Sequence, residues 1–418
     1  MLNKNYVCAL DIGSSKISAC VAGIKGKHIT SVVFDTALVK GMRKGAVVDS
    51  IDLVGCISGI LKNLKVKSGI NIKVIYTNIS GPEIITKHSR AIIPLAERGN
   101  KVIMQSDIDK ANDQARILGS SLDEEIIHQI PASYVIDSRS NILNPLGLYS
   151  HRLEADLLLI SAKLSLVQSL TQAVNQSGFE IKGLFFSGVA TSEIVFNQEL
   201  KTGLSLLCDI GSDITELVLL DEGLVKSVKI LSVGGDDLTS GLAEELKIPL
   251  ELAEDLKRSH GILGDSSQIK EDKEILLKQN TSYKPIKQRL VSQVLTAKAN
   301  ALSLVIKKAV EEMSGKRDIG NFVVAGRAVL LDGFMEILEN NLSLSAKMGR
   351  ITHPDIAPLI NREEALSGQK YITYLTCLGL ICQALRKVKP QVLSDAPVPP
   401  NLVARIVNKA HEVYQEYF

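Results

Sequence analysis

The sequence predicts an α/β chain of two similar lobes, on three observations. A strand–turn–strand unit occurs twice, once around Asp11 and once around Asp209. Both copies carry Asp-Ile-Gly-Ser at the turn. At 418 residues the chain is also too long for one ordinary core, since domains run to roughly 100–200 residues.

The first copy opens with the apolar run Tyr6–Leu10, read as a buried strand, and turns at Asp11-Ile-Gly-Ser-Ser-Lys16. A second strand follows over Ile17–Gly23, then a turn at Lys25-Gly26-Lys27 and a third strand near Ile29–Phe34. Leu53, Ile57, Ile60 and Leu61 are spaced for one face of a helix. The second copy repeats this order: strand Leu204–Cys208, turn Asp209–Asp213, strand Thr215–Leu220, turn Asp221-Glu222-Gly223, and strand Leu224–Leu231. A helix opens near Asp236, after Gly234-Gly235.

Paired turns of this kind suit a nucleotide held between two lobes. Gly13 and Gly211 let the backbone approach a phosphate, and the N–H groups around Ser14, Ser15, Lys16 and Ser212 form an anion-binding concavity. Asp11 and Asp209 would hold Mg²⁺ through water, because hard cations prefer oxygen. The rival reading is that both segments are only turns between strands. A third element, strand Asn321–Ala325 followed by Gly326, Arg327, Ala328 and a helix, would lie against the adenosine in an actin-type fold. A fourth, Ala253–Lys257, places Glu254 and Lys257 one turn apart on a helix; a solvated ion pair is the alternative there.

Composition narrows the class. Apolar residues at 45% and charged residues at 22% fit a soluble globular protein, and a net charge of +2 gives no footprint for nucleic acid. The cysteines at 8, 20, 56, 208, 377 and 382 show no C-x-x-C spacing. Cys8, Cys20 and Cys208 read as buried small hydrophobes, and a reducing compartment fits. The N-terminal apolar run stops at Asp11, too short for a signal peptide, and Tyr374–Leu385 is far short of the ~20 residues that span a bilayer. The histidines show no metal-ligand spacing, and no catalytic triad is suggested.

The chain resembles the bacterial cell-division family FtsA. Gly41–Gly45 with Val47-Val48-Asp49 is similar to the segment after that family's first phosphate loop. More specific is the stretch His128-Gln-Ile-Pro131, Tyr134, Asp137, Asn144–Leu148 and Arg152–Ala155. Val233–Thr239 and the helix Ala253–Gly261 match later motifs. The resemblance implies an actin-like two-lobed fold of duplicated ribonuclease H-like domains with an inserted subdomain. The first large subdomain would cover residues 1–81 and 161–200, around an insert at 82–160. The second would cover 201–244 and 316–389, around a small subdomain at 245–315.

Within the insert, Ile84–Pro94, Tyr134–Ile142 and Ala155–Ser161 read as strands, and Ser106-Asp107 as the cap of a helix running to Ile117. The 245–315 region reads as helical at both ends, its second helix carrying Ile286, Leu290, Val294, Leu295, Leu302 and Val305. Four positions depart from the family pattern. Ser212 and Asp213 stand where glycines are usual, Arg327 replaces a glycine of the adenosine turn, and Gly241 replaces an Asp. An inward-pointing Asp213 would repel phosphate; Arg327 would stack on a base or fill its pocket.

After residue 389 the chain changes character. Residues 390–400 form a proline-rich, extended linker, and 401–418 an amphipathic helix with Asn401 as N-cap. Leu402, Val403, Ile406, Val407, Ala410, Val413, Tyr414 and Phe418 share its apolar face, which suits a membrane interface. A helix folded back on its own domain is the other reading. Arg405 and Lys409 are offset by Glu412 and Glu416, so the apolar face must carry most of any lipid affinity.

The resemblance therefore implies an adaptor, not an enzyme, with at most weak ATPase activity. It would bind ATP and Mg²⁺, associate with itself into actin-like filaments, and hold the C-terminal tail of FtsZ through 245–315. The insert would contact other division proteins. The place of action would be the cytoplasmic face of the cell membrane at the division site. Two rivals remain: a PilM-like pilus-assembly adaptor, and a sugar-kinase-like phosphotransferase, for which no catalytic Asp can be nominated.

Overall fold

The computed structural model describes residues 6–386 apart from 27, 97, 98, 138, 265–272, 280, 281 and 361. The linker and helix expected over 390–418, with every residue of its apolar face, lie outside the described residues.

The first lobe opens with an antiparallel meander of β1 (Tyr6–Ile12), β2 (Lys16–Lys25) and β3 (His28–Leu38). Each strand runs a little longer than its apolar core, so Asp11 belongs to the end of β1 and not to the turn. A small hairpin follows, β4 (Met42–Arg43) and β5 (Ala46–Val47), then α1 (Ser50–Ser68). The Asp49 carboxylate accepts the N–H groups of Ile51 and Asp52 at 2.9 and 3.0 Å, which satisfies two orphan donors and starts the helix. The predicted face of Leu53, Ile57, Ile60 and Leu61 is buried. Next, β6 (Val74–Ile79) lies parallel to β1.

The inserted unit comprises β7 (Ile84–Pro94), β8 (Lys101–Val102), α2 (Gln105–Gly119), β9 (Glu124–Ile136), β10 (Arg139–Ile142), β11 (Tyr149–Ser150) and β12 (Arg152–Lys163). Four strands form an antiparallel sheet in the order β10-β9-β12-β7, with α2 packed on β7 and β12. Two expectations are corrected here. The strand expected over Tyr134–Ile142 is two strands, because Asp137 takes a left-handed φ of 45° and turns the chain between β9 and β10. The helix begins at Gln105, ahead of the expected cap, and Asp107 works from inside the first turn by accepting Met104 N–H at 3.0 Å.

The chain returns to the first lobe through α3 (Leu164–Gln176), β13 (Glu180–Phe186) and α4 (Ser187–Val195), with β13 parallel to β6. The finished sheet runs β13-β6-β1-β2-β3.

In the second lobe, β14 (Leu204–Ile210), β15 (Thr215–Asp221) and β16 (Leu224–Leu231) repeat the meander. They lead to α5 (Gly235–Leu246), α6 (Leu250–His260), the hairpin β17 (Glu274–Gln279) and β18 (Ser282–Lys287), and the long α7 (Gln288–Ser314). Then come β19 (Asn321–Ala325), a 3₁₀ turn at Arg327–Leu330, α8 (Phe334–Leu342), β20 (Ala346–Met348) and α9 (Leu375–Leu385). The sheet order β16-β15-β14-β19-β20 reproduces the first lobe strand for strand, β1 answering to β14 and β6 to β19. This is a duplicated, actin-like α/β fold with an insert after β6.

The second helix expected in the 245–315 region is α7, and of its named residues Leu295 and Leu302 are buried and Val294 packs on the core. Ile286 instead belongs to β18, and Leu290 and Val305 are exposed. The buried stripe runs through Val291, Leu295, Leu302 and Ile306 and takes in Ser292 and Ser303, so hydropathy alone marks only part of it. The final described helix, α9, returns to the first lobe and packs on α4 and β1. No helix among the described residues is long and apolar enough to cross a membrane.

Candidate functional site

In both lobes the central strand carries a carboxylate at its end, buried in the first lobe and half-buried in the second, at the carboxyl edge of the sheet where α/β folds place ligands. Asp11 closes β1 and Asp209 closes β14. Asn78, at the end of the parallel neighbour β6, holds Asp11 in place. Its Nδ2 donates to Asp11 Oδ1 and to Ser187 Oγ, both at 2.9 Å, while its Oδ1 accepts Ile12 N–H at 2.7 Å. In the second lobe Thr191 Oγ1 donates to Asp209 Oδ2 at 3.1 Å.

The two carboxylates feel each other. Burial pushes Asp11 up to about 6, against the pull of Lys16 and with the push of Asp209. Burial likewise raises Asp209, and raises Glu216 of β15 well above the usual carboxylate range. Lys16 is held down at about 8 by burial, and its Nζ donates to Thr373 O at 2.8 Å. The amine thus anchors the first turn to the segment leading into α9.

The turns themselves are alike. Gly13 N–H donates to Lys16 O at 3.0 Å, and Gly211 N–H donates to Ile214 O at 2.9 Å. Among the described residues, no hydrogen bond uses the N–H of Ser14, Ser15, Ser212 or Asp213. Two such pairs of free donors at facing turns could hold an anion. Gly234 and Gly235 open α5 against the second turn, with Gly235 N–H on Gly211 O at 2.9 Å. At Gly326 the left-handed φ of 87° brings the chain so near β14 that a Cβ would stand 2.0 Å from Ile210 O, so only glycine fits. Arg327 and Ala328 follow directly.

Glu254 and Lys257 are not a solvated pair. Lys257 is 7% exposed; its Nζ donates to Gly235 O at 3.0 Å and to Thr239 Oγ1 at 2.6 Å, and pairs with Glu254 at 2.6 Å. The hydroxyl of Thr239 donates to Glu254 at 2.7 Å. α6 is thereby pinned to the start of α5, under the Gly234–Gly235 turn.

Besides Thr191 of α4 on Asp209, further contacts cross between the lobes at the cleft. Ser80 donates to Glu216, Arg327 Nη2 donates to Ser15 Oγ at 3.3 Å, and Asp213 Oδ2 accepts Lys44 N–H at 2.8 Å. The structure thus brings Asp11, Lys16, Asp209 and Arg327 within electrostatic reach of one another, and gathers Glu254 and Lys257 under the second turn. Sequence reading missed Asn78, Ser80, Thr191 and Glu216. The polar run Thr77-Asn78-Ile79-Ser80-Gly81 that ends an apolar strand was a usable signal; Thr191 and Glu216 carried none. No cluster of three His, Cys, Asp or Glu able to grip a metal directly occurs among the described residues.

Comparison with known proteins places this geometry. A family model for the SHS2 domain inserted in FtsA matches residues 81–161, and one for the cell division protein FtsA matches residues 206–375. The chain is 23% identical over 353 residues to the cell division protein FtsA of Borreliella burgdorferi, covering 83% of this chain and 85% of that protein. It is 23% identical to the FtsA of Escherichia coli strain K12 over 388 residues, covering 91% and 90%. Among solved structures it is similar to the type IV pilus biogenesis complex of PilM and PilN (TM-score 0.63, 16% identity, 91% of this chain and 98% of that one). It is also similar to MreB5 of Spiroplasma citri bound to ADP (TM-score 0.52, 13% identity, 92% and 96%). At such identities the structural likeness shows the fold alone. The insert matched by its own model, the second lobe matched by another, and relatives aligned over most of their length agree on one assignment: the chain belongs to the FtsA family of bacterial cell-division proteins.

Proposed function

We propose that this protein is an adaptor that joins the FtsZ polymer to the cytoplasmic face of the membrane at the division site. The observation that carries the proposal is the pairing of two duplicated, facing turns with an FtsA-type insert in one chain. Residues 401–418 would lie in the membrane interface. At about 1.5 Å per residue a helix over them would be about 27 Å long, ample for in-plane binding. The region 245–315 would receive the FtsZ tail, and the insert would meet other division proteins.

An adenine nucleotide with Mg²⁺ is the proposed ligand of the cleft, and the residues present fit a nucleotide. The free turn N–H groups suit phosphate oxygens, Asp11 and Asp209 would hold the cation through water, and the glycine cradle at Gly326 suits a flat nucleoside. Lys257 and Glu254 would set the Gly234–Gly235 turn beside it. Bound nucleotide would supply charge that draws the lobes together. Support comes from neighbours on this fold that hold ADP or AMPPNP, and from MamK, seen as a double helical filament, which favours self-association. A double substitution, Ile406→Glu with Val407→Glu, tests the membrane role by vesicle flotation. Release from vesicles supports it; unchanged association contradicts it.

A further inference from the structure

We infer that the cleft carries its own anion: Asp213 takes the place of a terminal phosphate, so the lobes close without a triphosphate and the site prefers a nucleoside diphosphate. The inference rests on reading the cleft as a nucleotide site.

Asp213 stands at the tip of the second turn, past Gly211, in one lobe. Its Oδ2 accepts the N–H of Lys44, which belongs to the other lobe, at 2.8 Å. The next N–H, that of Gly45, donates to Ser14 Oγ of the first turn at 3.5 Å. The carboxylate therefore ties the tip of one turn to backbone that leans on the tip of the other. An anion bound between two such turns would accept from both sides; here a side chain of the protein does so. Lys44 takes a left-handed φ of 48°, uncommon for a residue with a Cβ and maintained where surrounding contacts hold it.

The neighbours agree. Asp236 N–H is already given to Ser212 O at 2.8 Å, so it is withdrawn from any ligand. The Asp236 carboxyl lies near enough to that of Asp213 for the two to interact, which places two acidic groups together at the mouth of the second turn. Arg327, reaching Ser15 from the second lobe, closes the opposite side of the cleft. A third phosphate would enter against both carboxyls, and like charges at contact distance repel strongly in a partly buried site. A ligand shorter by one phosphate avoids them and keeps the remaining turn donors.

The test uses the full chain in three forms: unchanged, Asp213→Asn and Asp213→Ala. The Asn amide oxygen still accepts Lys44 N–H but carries no charge; Ala removes both. Equilibrium binding of ADP and of ATP, each with Mg²⁺, is measured beside amide hydrogen exchange at Lys44 without nucleotide. The expected result is ADP bound at least about tenfold more tightly than ATP by the unchanged chain, with that ratio falling toward one in both variants. Lys44 should be protected in the unchanged chain and in Asp213→Asn, and exchange freely in Asp213→Ala. ATP preferred by the unchanged chain, or a ratio untouched by both substitutions, overturns the inference. If neither nucleotide binds any of the three, the nucleotide reading fails and the ligand preference with it. Lys44 exchange unaltered in Asp213→Ala would separately refute the closure.

Discussion

His128 gives the sharpest stability prediction. Its Nε2 accepts the N–H of Phe186 at 2.9 Å, and its ring lies 5.8 Å from that of Phe185. Nε2 must therefore keep its lone pair, and the ring proton sits on Nδ1. Burial pushes the group down from 6.5 to about 4. A base whose folded value is depressed binds fewer protons folded than unfolded, so its contribution is complete above 6.5 and is lost as pH falls through about 4. The full difference corresponds to about 3 kcal/mol, a ceiling because solvent reaches part of the side chain. In the same window Asp11 and Asp236, both raised to about 6, act with the opposite sign: their contribution is complete below about 4 and is lost as pH rises through about 6. The raw pH profile mixes these. Comparing the chain with His128→Gln, whose amide oxygen can accept the same N–H, isolates the histidine. Urea unfolding at pH 7 and pH 4.5 should show the unchanged chain losing about 2 kcal/mol more than the variant. Equal losses would refute the neutral, acceptor role. The bond matters to the cleft as well, since Phe186 precedes Ser187, which holds Asn78 and through it Asp11.

Further outcomes follow from single contacts. Gly379→Ala would put a Cβ 1.9 Å from Ala190 O where α9 crosses α4, and should cost roughly 1–3 kcal/mol by thermal unfolding. Asn78→Ala strips Asp11 and Ile12 N–H of their partners in a buried site; a loss of about 2 kcal/mol in denaturant unfolding is expected. Lys257→Met should leave the chain folded but weaken nucleotide binding about tenfold in equilibrium titration, because Gly235 O and Thr239 lose their tie to α6.

The duplicated sheet was legible because it is written locally. Short continuous apolar runs, stopped by Asp-Ile-Gly-Ser, mark strand ends whatever the rest of the chain does, and the repeat around Asp209 exposes the second lobe. What holds the cleft together was not legible. Lys16 meets Thr373, and Asp213 meets Lys44, across hundreds or scores of positions, and no local pattern announces either pairing. Glu216 sits in an apolar strand where a lone acid reads as an outward residue, yet it is buried against Ser80. The face of α7 was legible only in part for a related reason: Leu295 and Leu302 are buried as expected, but Ser292 and Ser303 are buried while Leu290 and Val305 are exposed, so tertiary packing overrides the apolar count. Lys257 shows the converse, a helix-surface spacing that the fold turns inward.

The central claim is that one chain links membrane to FtsZ. The most direct measurement is co-sedimentation with anionic vesicles, for the full chain and for a chain ending at Lys389, each with and without FtsZ. The account predicts that only the full chain pellets with vesicles and that it carries FtsZ down with it. If both chains stay in solution, or if the full chain pellets while FtsZ does not follow, the adaptor reading is contradicted.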